Sequence, residues 1–563
     1  MSDLRRLRDA RNAYGAGAER GKRALLSALR NVGLRTAADV TALHEDLLFL
    51  CAFPGSPGVR ALARRMLDEI GERVRRLSRA QRTDLDDSGI AGSVTRHVLP
   101  FAIVRWLAET TPADVAIDWR SLDDPAKLDG CVDALLHDAE REGFDSGEFA
   151  TRDWIALAKR VDAKSDVQWL AEAATGAGAV RLAGAWDDAE IPVAWTLRES
   201  RWSVTRNVLA GAGVALRTSM RRPPPDAVAE IARPLDAIER LPRRRARRVV
   251  AAARAALSAR CREVNAMTYP NLDEVWWCDL GEGAALAVIG IAREHRLALE
   301  TNTGYLLFAN GVPIGYGGVT PLFRQANTGI NVFDPFRGSE AAFLWTQMLR
   351  AFHTLYGSRR FVVNPYQFGA GNAEAIESGA FWFYYRLGFR PAQARTATLA
   401  AREVQRMAAD RRYRSDRKTL RALASGDLHL DLPGFDRADA FDETLLPHSG
   451  ALAARVLARE PAGSRQAAAR RIAQRLAAEL AIDDYARWPA HERRGFEYLA
   501  PIAAGVPTLR EWDRGERDAV AAMLRAKGAP QERHYALKAQ RAVRFHHALH
   551  ATLARMAKSG TRG

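Results

Sequence analysis

The sequence predicts an α+β protein in which a central mixed sheet with helices is flanked by N-terminal and C-terminal helical domains. Three observations carry that prediction. Between Gly304 and Pro391, strand and helix patterns alternate around a hairpin signal at Asn310-Gly311. Apolar residues at helical spacing fill the first 222 residues and return after about residue 400. Three consecutive prolines in Arg221-Arg-Pro-Pro-Pro-Asp226 cannot continue a helix and favour extended chain. A chain of 563 residues exceeds what one core usually serves. The expected division is a helical domain over 1–222, a proline-rich linker and basic helix over 223–270, a mixed domain over 271–400 and a basic helical domain over 401–563.

Element by element, Val59, Leu62, Met66, Ile70 and Val74 mark one helix face, and similar stripes run from Leu25 to Leu34 and from Val98 to Leu107. Seven tryptophans of this half (Trp106, Trp119, Trp154, Trp169, Trp186, Trp195, Trp202) follow no fixed period and read as core anchors. Arg243-Arg-Arg-Ala-Arg-Arg248 opens a basic helix with no interleaved aromatic residue, which reads as a solvated face. Gly281-Glu-Gly fails as a dinucleotide fingerprint, because Leu286 stands where the third glycine belongs and Val288, Ile289 and Ile291 favour a strand of the central sheet.

Gly304–Phe308 and Val312–Tyr316 form the hairpin, and a third strand runs from about Thr328 to Phe333. After Asp334-Pro-Phe-Arg-Gly-Ser339, residues Leu344, Met348, Leu349, Phe352 and Leu355 make a helix that Gly357 stops. Arg360–Val363 is a strand, and a helix built on Ala373 to Arg386 closes at Gly388. A loop from Leu428 to Asp442 separates the sheet from the C-terminal helices, where Ile472, Leu476 and Leu480 share a face.

Over roughly residues 280–395 this order, together with Tyr384, Gly388 and Phe389 in a Tyr-x-x-x-Gly-Phe pattern, resembles the GNAT-type acyltransferase superfamily. The resemblance implies transfer of an acyl group from a coenzyme A thioester to an amine acceptor, with no metal. It places the cofactor diphosphate at Phe336, Arg337, Gly338, Ser339, Glu340 and Ala341, where amides at a helix start have no intrahelical partner and the dipole favours an anion. Against the family loop, Pro335 stands at the first place and Glu340 at the last, so a carboxylate occupies the first turn. Arg337 offers a compensating cation. The resemblance gives Tyr384 the role of protonating the thiolate, and a backbone N–H of the central strand the role of polarising the thioester carbonyl. Glu300, just before the hairpin, is the candidate general base. Asn364 and Tyr366, where Pro365 ends a strand, and Glu377 are candidates for the acceptor side.

Net charge is +16 with an isoelectric point near 10, which draws polyanions such as RNA. The alternative function is therefore a non-catalytic scaffold whose degenerate acyltransferase fold supports polyanion-binding helical domains. The longest apolar run, Ala284 to Ala292, is far short of a membrane span, and the start has no apolar segment of a secretion signal, so a cytoplasmic location is expected. Cys51, Cys131, Cys261 and Cys278 lack metal or disulfide spacing. His546, His547 and His550 share a helix without a visible third ligand. No Gly-x-Ser-x-Gly elbow or P-loop occurs.

Overall fold

The computed structural model describes residues 2–159, 164–198, 201–209, 213–507 and 509–560. It is a mixed α+β structure, mostly helical, with one large sheet. Strands are β1 (Val94–Val98), β2 (Val115–Ile117), β3 (Pro192–Thr196), β4 (Ile238–Arg240), β5 (Pro270–Gly281), β6 (Ala284–Ile291), β7 (Thr303–Ala309), β8 (Val312–Leu322), β9 (Gln325–Thr328), β10 (Asn331–Val332), β11 (Arg360–Val363), β12 (Arg390–Pro391) and β13 (Leu428–Asp431). The large sheet runs β12-β13-β11-β9-β8-β7-β6-β5-β4, with β10 on β8.

β6 and β7 are buried along their whole length, which explains their unbroken apolar sequences. The turn between β7 and β8 places Asn310 and Gly311 both at positive φ (48° and 80°), the backbone that twists with the strands it joins. Asn310 also binds the first half of the chain: its amide donates to Ala52 O (2.8 Å) and Ala215 O (3.0 Å), and its Oδ1 accepts from Ala215 N (2.8 Å). The one parallel pair among the described residues, β9 with β11, is joined by the helix Ala341–Tyr356, stopped by Gly357 at φ 70°.

The third expected strand appears in two pieces. β9 pairs Thr328 with Val319 and β10 pairs Asn331 with Tyr316, so one antiparallel register continues across a break at Gly329 and Ile330. β11 accompanies β9 only as far as Asn327 and Val362, after which Asn364 and Pro365 turn away. The two parallel strands therefore diverge at the break.

Two expectations about the flanks are corrected. The first 222 residues are not wholly helical: β1, β3 and β2 form a three-stranded sheet carrying buried Val193 and Trp195. Strands of three to five residues leave too short an alternation to stand out among helical stripes. The segment expected to loop from Leu428 to Asp442 begins as β13, inserted between β11 and β12 with Leu428 and Leu430 inward. The linker likewise contributes β4 to the far edge.

The first half and the sheet share one continuous apolar core, in which Trp106, Trp186 and Trp195 are buried. A second core, built on Ile472, Leu476, Phe496, Val520 and Leu549, lies in the C-terminal helices and takes in Leu299, Leu322 and Phe323 from the sheet side. Polar contacts reinforce that junction. Glu274 accepts from the amides of Glu532 (2.8 Å) and Arg533 (2.7 Å), and Arg296 donates to the carbonyls of Lys527 and Ala529 at 2.8 Å each. Among the described residues no helix is long and apolar enough to cross a membrane.

Candidate functional site

A buried anion of the protein's own stands beside the start of the helix Ala341–Tyr356, without a hydrogen bond to the helix's first amides. Glu340 is its N-cap residue, and its carboxylate receives Arg217 Nε at 2.9 Å, Arg217 Nη2 at 3.1 Å and the Arg221 amide at 3.1 Å. Both side chains are buried, 1% exposed for Arg217 and 0% for Glu340. Arg217 further donates to Glu282 O (2.5 Å) and lies over the Phe53 ring, which meets the ring of buried Phe336 edge-on. The segment around Arg217 thus crosses the corner where a diphosphate was expected.

The other residues of that loop do not rebuild an anion cradle. Arg337 is exposed and turned to Asp334 (2.8 Å) and Glu374. Ser339 Oγ donates to Phe336 O at 2.5 Å. Gly338 is exposed at φ 73° with open space around it, and Ala341 opens the helix.

Where β9 and β11 diverge, two tyrosines approach the break. Tyr305 donates to Gly329 O, and the Tyr384 hydroxyl lies beside the Ile330 backbone. Tyr384 is 2% exposed and wedged edge-on against Trp345, Phe368, Phe383 and Phe389. Burial lifts its hydroxyl well above the ordinary tyrosine range. Gln367 packs against Gly329, and Asn364 Oδ1 is buried there without a hydrogen-bond partner, while Tyr366 is 59% exposed.

Glu300 lies on the other face of the sheet. Its carboxyl lies near Thr320, a neighbour of Val319, whereas Tyr305 shares its face with Val319 and lies close to Tyr384. The structure therefore does not bring Glu300 and Tyr384 together on one face. Glu300 does join a polar group that sequence order hid: Glu443 accepts from Asn327 Nδ2 and Gln325 Nε2, both at 2.9 Å. Burial first, and then Glu443, push the Glu300 carboxyl up to about 7. Burial likewise raises Glu443. Glu377 is an exposed helix residue paired with Arg417 at 3.1 Å.

Asp439 supplies the third group near two of the C-terminal histidines, with ligand atoms of Asp439, His546 and His547 within 4.8 Å of one another. It already pairs with Arg324 (2.6 Å) and His547 (3.0 Å), and His546 stacks on Phe323 at 4.2 Å. The residues that sequence reasoning missed, Arg217, Glu443 and Asp439, lie more than a hundred positions from their partners and carry no local signal. No family model matches the chain, and no curated protein or solved structure matches it either.

Proposed function

We propose that this protein is a non-catalytic scaffold, in which an acyltransferase-like core supports basic surfaces that bind a polyanion such as RNA. The observation that carries the reading is the buried Arg217–Glu340 pair at the helix start. A thioester diphosphate approaching that turn meets a carboxylate already holding two guanidinium bonds and an amide.

The surface supplies the alternative ligand. Between Arg402 and Arg421 eight basic residues face three acidic ones, and Arg402, Arg411, Arg412, Arg414, Arg417, Lys418 and Arg421 are exposed. Such a strip neutralises phosphates without reading bases, so binding is salt-dependent and sequence-tolerant. Titration of a single-stranded RNA at several salt concentrations tests it. For about five phosphate contacts the slope of log K against log salt is on the order of −3.5. A flat response, or unchanged affinity in Arg411→Glu/Arg414→Glu, removes the reading.

One observation favours the enzymatic alternative. The parallel β9–β11 pair diverges, as the two central strands of the resembling family do where they admit the thioester. Under that reading an acyl-CoA thioester enters at residues 336–341 and an amine is deprotonated from the Glu300 side. Turnover of acetyl-CoA with a panel of amines, lost in Glu300→Gln without any loss of stability, would establish it.

A further inference from the structure

The cavity beside the Arg243–Ser258 helix borders the Arg217 network through Ala215, Glu282 and Gly311 but is lined mainly by residues not yet described. It measures about 630 Å³, within the range of small-molecule sites. Its floor is aromatic and aliphatic: Trp277 of β5 and Phe308 of β7 are 5.3 Å apart between ring centroids, and Val249 borders them. Trp277 is half-buried, so part of its indole is open to the cavity. Arg245 and Arg248, one helical turn apart, stand on one side, and Asp279 on the other. Arg245 also pairs with Glu239 at 2.7 Å, and Asp279 Oδ1 accepts the Gly281 amide at 2.8 Å.

The helix bearing these arginines has no acidic residue in its first turn, and Arg243, Arg244, Arg245, Arg247 and Arg248 are all exposed. Cations crowded at a helix N-terminus oppose the dipole, and an external anion relieves both. From sequence alone the helix offered no aromatic neighbour; β5 brings Trp277 to it through the fold.

We infer that this cavity binds a phosphorylated nucleoside, with the base stacked on Trp277, the phosphate on Arg245 and Arg248, and an amino edge of the base turned to Asp279. Three features suit that class together. A flat π system matches the indole, charge-assisted contacts match the phosphate, and a carboxylate accepts from an exocyclic amine. The same chemistry is presented by a free nucleotide and by one residue of an RNA strand. The inference goes beyond the polyanion reading, which concerns the Arg402–Arg421 strip.

The test is calorimetry of the full chain with AMP, CMP, GMP and UMP, with the matching nucleosides, and with a short single-stranded RNA. Saturable binding of at least one monophosphate is expected, weakened roughly 5- to 150-fold in Trp277→Ala and largely kept in Trp277→Phe. Arg248→Gln should weaken the monophosphate and leave the nucleoside unchanged. Binding to the oligonucleotide but to no monophosphate, if sensitive to Trp277→Ala, assigns the site to a strand. Thermal melting of each variant separates loss of binding from loss of folding, and the Phe and Gln variants keep the test open if Trp277→Ala unfolds. No heat with any monophosphate at about 5 mM, with oligonucleotide binding indifferent to Trp277, overturns the inference and leaves the polyanion reading standing. Absence of oligonucleotide binding as well defeats both.

Discussion

Replacing Glu340 by glutamine is the sharpest probe of the occupied helix start. The substitution keeps side-chain volume and one acceptor oxygen, but leaves the Arg217 guanidinium, 1% exposed, with only the exposed Glu282 carboxylate 3.9 Å away as counterion. Breaking a buried pair from one side costs about 3–5 kcal/mol, because the remaining charge has lost its water and its counterion together. With an m-value of about 3 kcal/mol/M, the urea midpoint of the unit containing the sheet falls by about 1–1.7 M. Urea unfolding followed by tryptophan fluorescence and far-UV circular dichroism measures the shift, and coincidence of the two probes checks that one transition is read. Arg217→Met combined with Glu340→Gln removes both charges, so the double variant should be more stable than Glu340→Gln alone. A loss below about 1 kcal/mol in Glu340→Gln, or a double variant no better than the worse single one, would refute the argument, since either result means the pair is solvated.

Three further outcomes follow from the geometry. Glu300 holds a proton up to about 7 in the folded chain and to its ordinary value near 4.5 when unfolded, so the folded state binds more protons between those values and its stability falls as pH rises through them. Glu300→Gln should therefore gain stability relative to the parent at pH 8 and not at pH 5, read by melting at both; equal shifts at the two pH values contradict the burial of its carboxyl. His44 behaves in the opposite sense: burial, then Arg260, lowers it to about 3, so protonation below about pH 6.5 favours the unfolded chain and His44→Gln should flatten that part of the acid limb. Tyr384→Phe deletes a buried hydroxyl beside the Ile330 backbone, with an expected cost of about 0.5–1.5 kcal/mol in unfolding experiments; an unchanged midpoint would show that Tyr384 is held by its aromatic neighbours alone.

The parts legible in the sequence were those with local signatures. Asn310-Gly311 announced its hairpin through backbone geometry that few other pairs adopt, and the stripe ending at Gly357 announced the Ala341–Tyr356 helix. The C-terminal half of β8 and all of β13 were less visible. Leu428 and Leu430 make only two inward positions, and a four-residue strand acquires its identity from the β11 and β12 backbones on either side. At the candidate site the sequence marked Glu340 as out of place in a diphosphate loop, yet nothing near it pointed to Arg217, 123 positions earlier. Tyr384 could be assigned to its helix, but its burial depended on Trp345, Phe368 and Phe389 arriving from three other elements. Glu300 and Glu443 are a pair only because the C-terminal segment returns across the sheet.

Calorimetric titration of the whole protein with acetyl-CoA and with a long-chain acyl-CoA tests the central claim most directly. Because the helix start holds Glu340 against Arg217, the account predicts no saturable heat with either thioester at millimolar concentration. A saturable isotherm with Kd below about 100 μM, abolished by Gly338→Asp at an unchanged melting temperature, would contradict it and return the corner to the diphosphate.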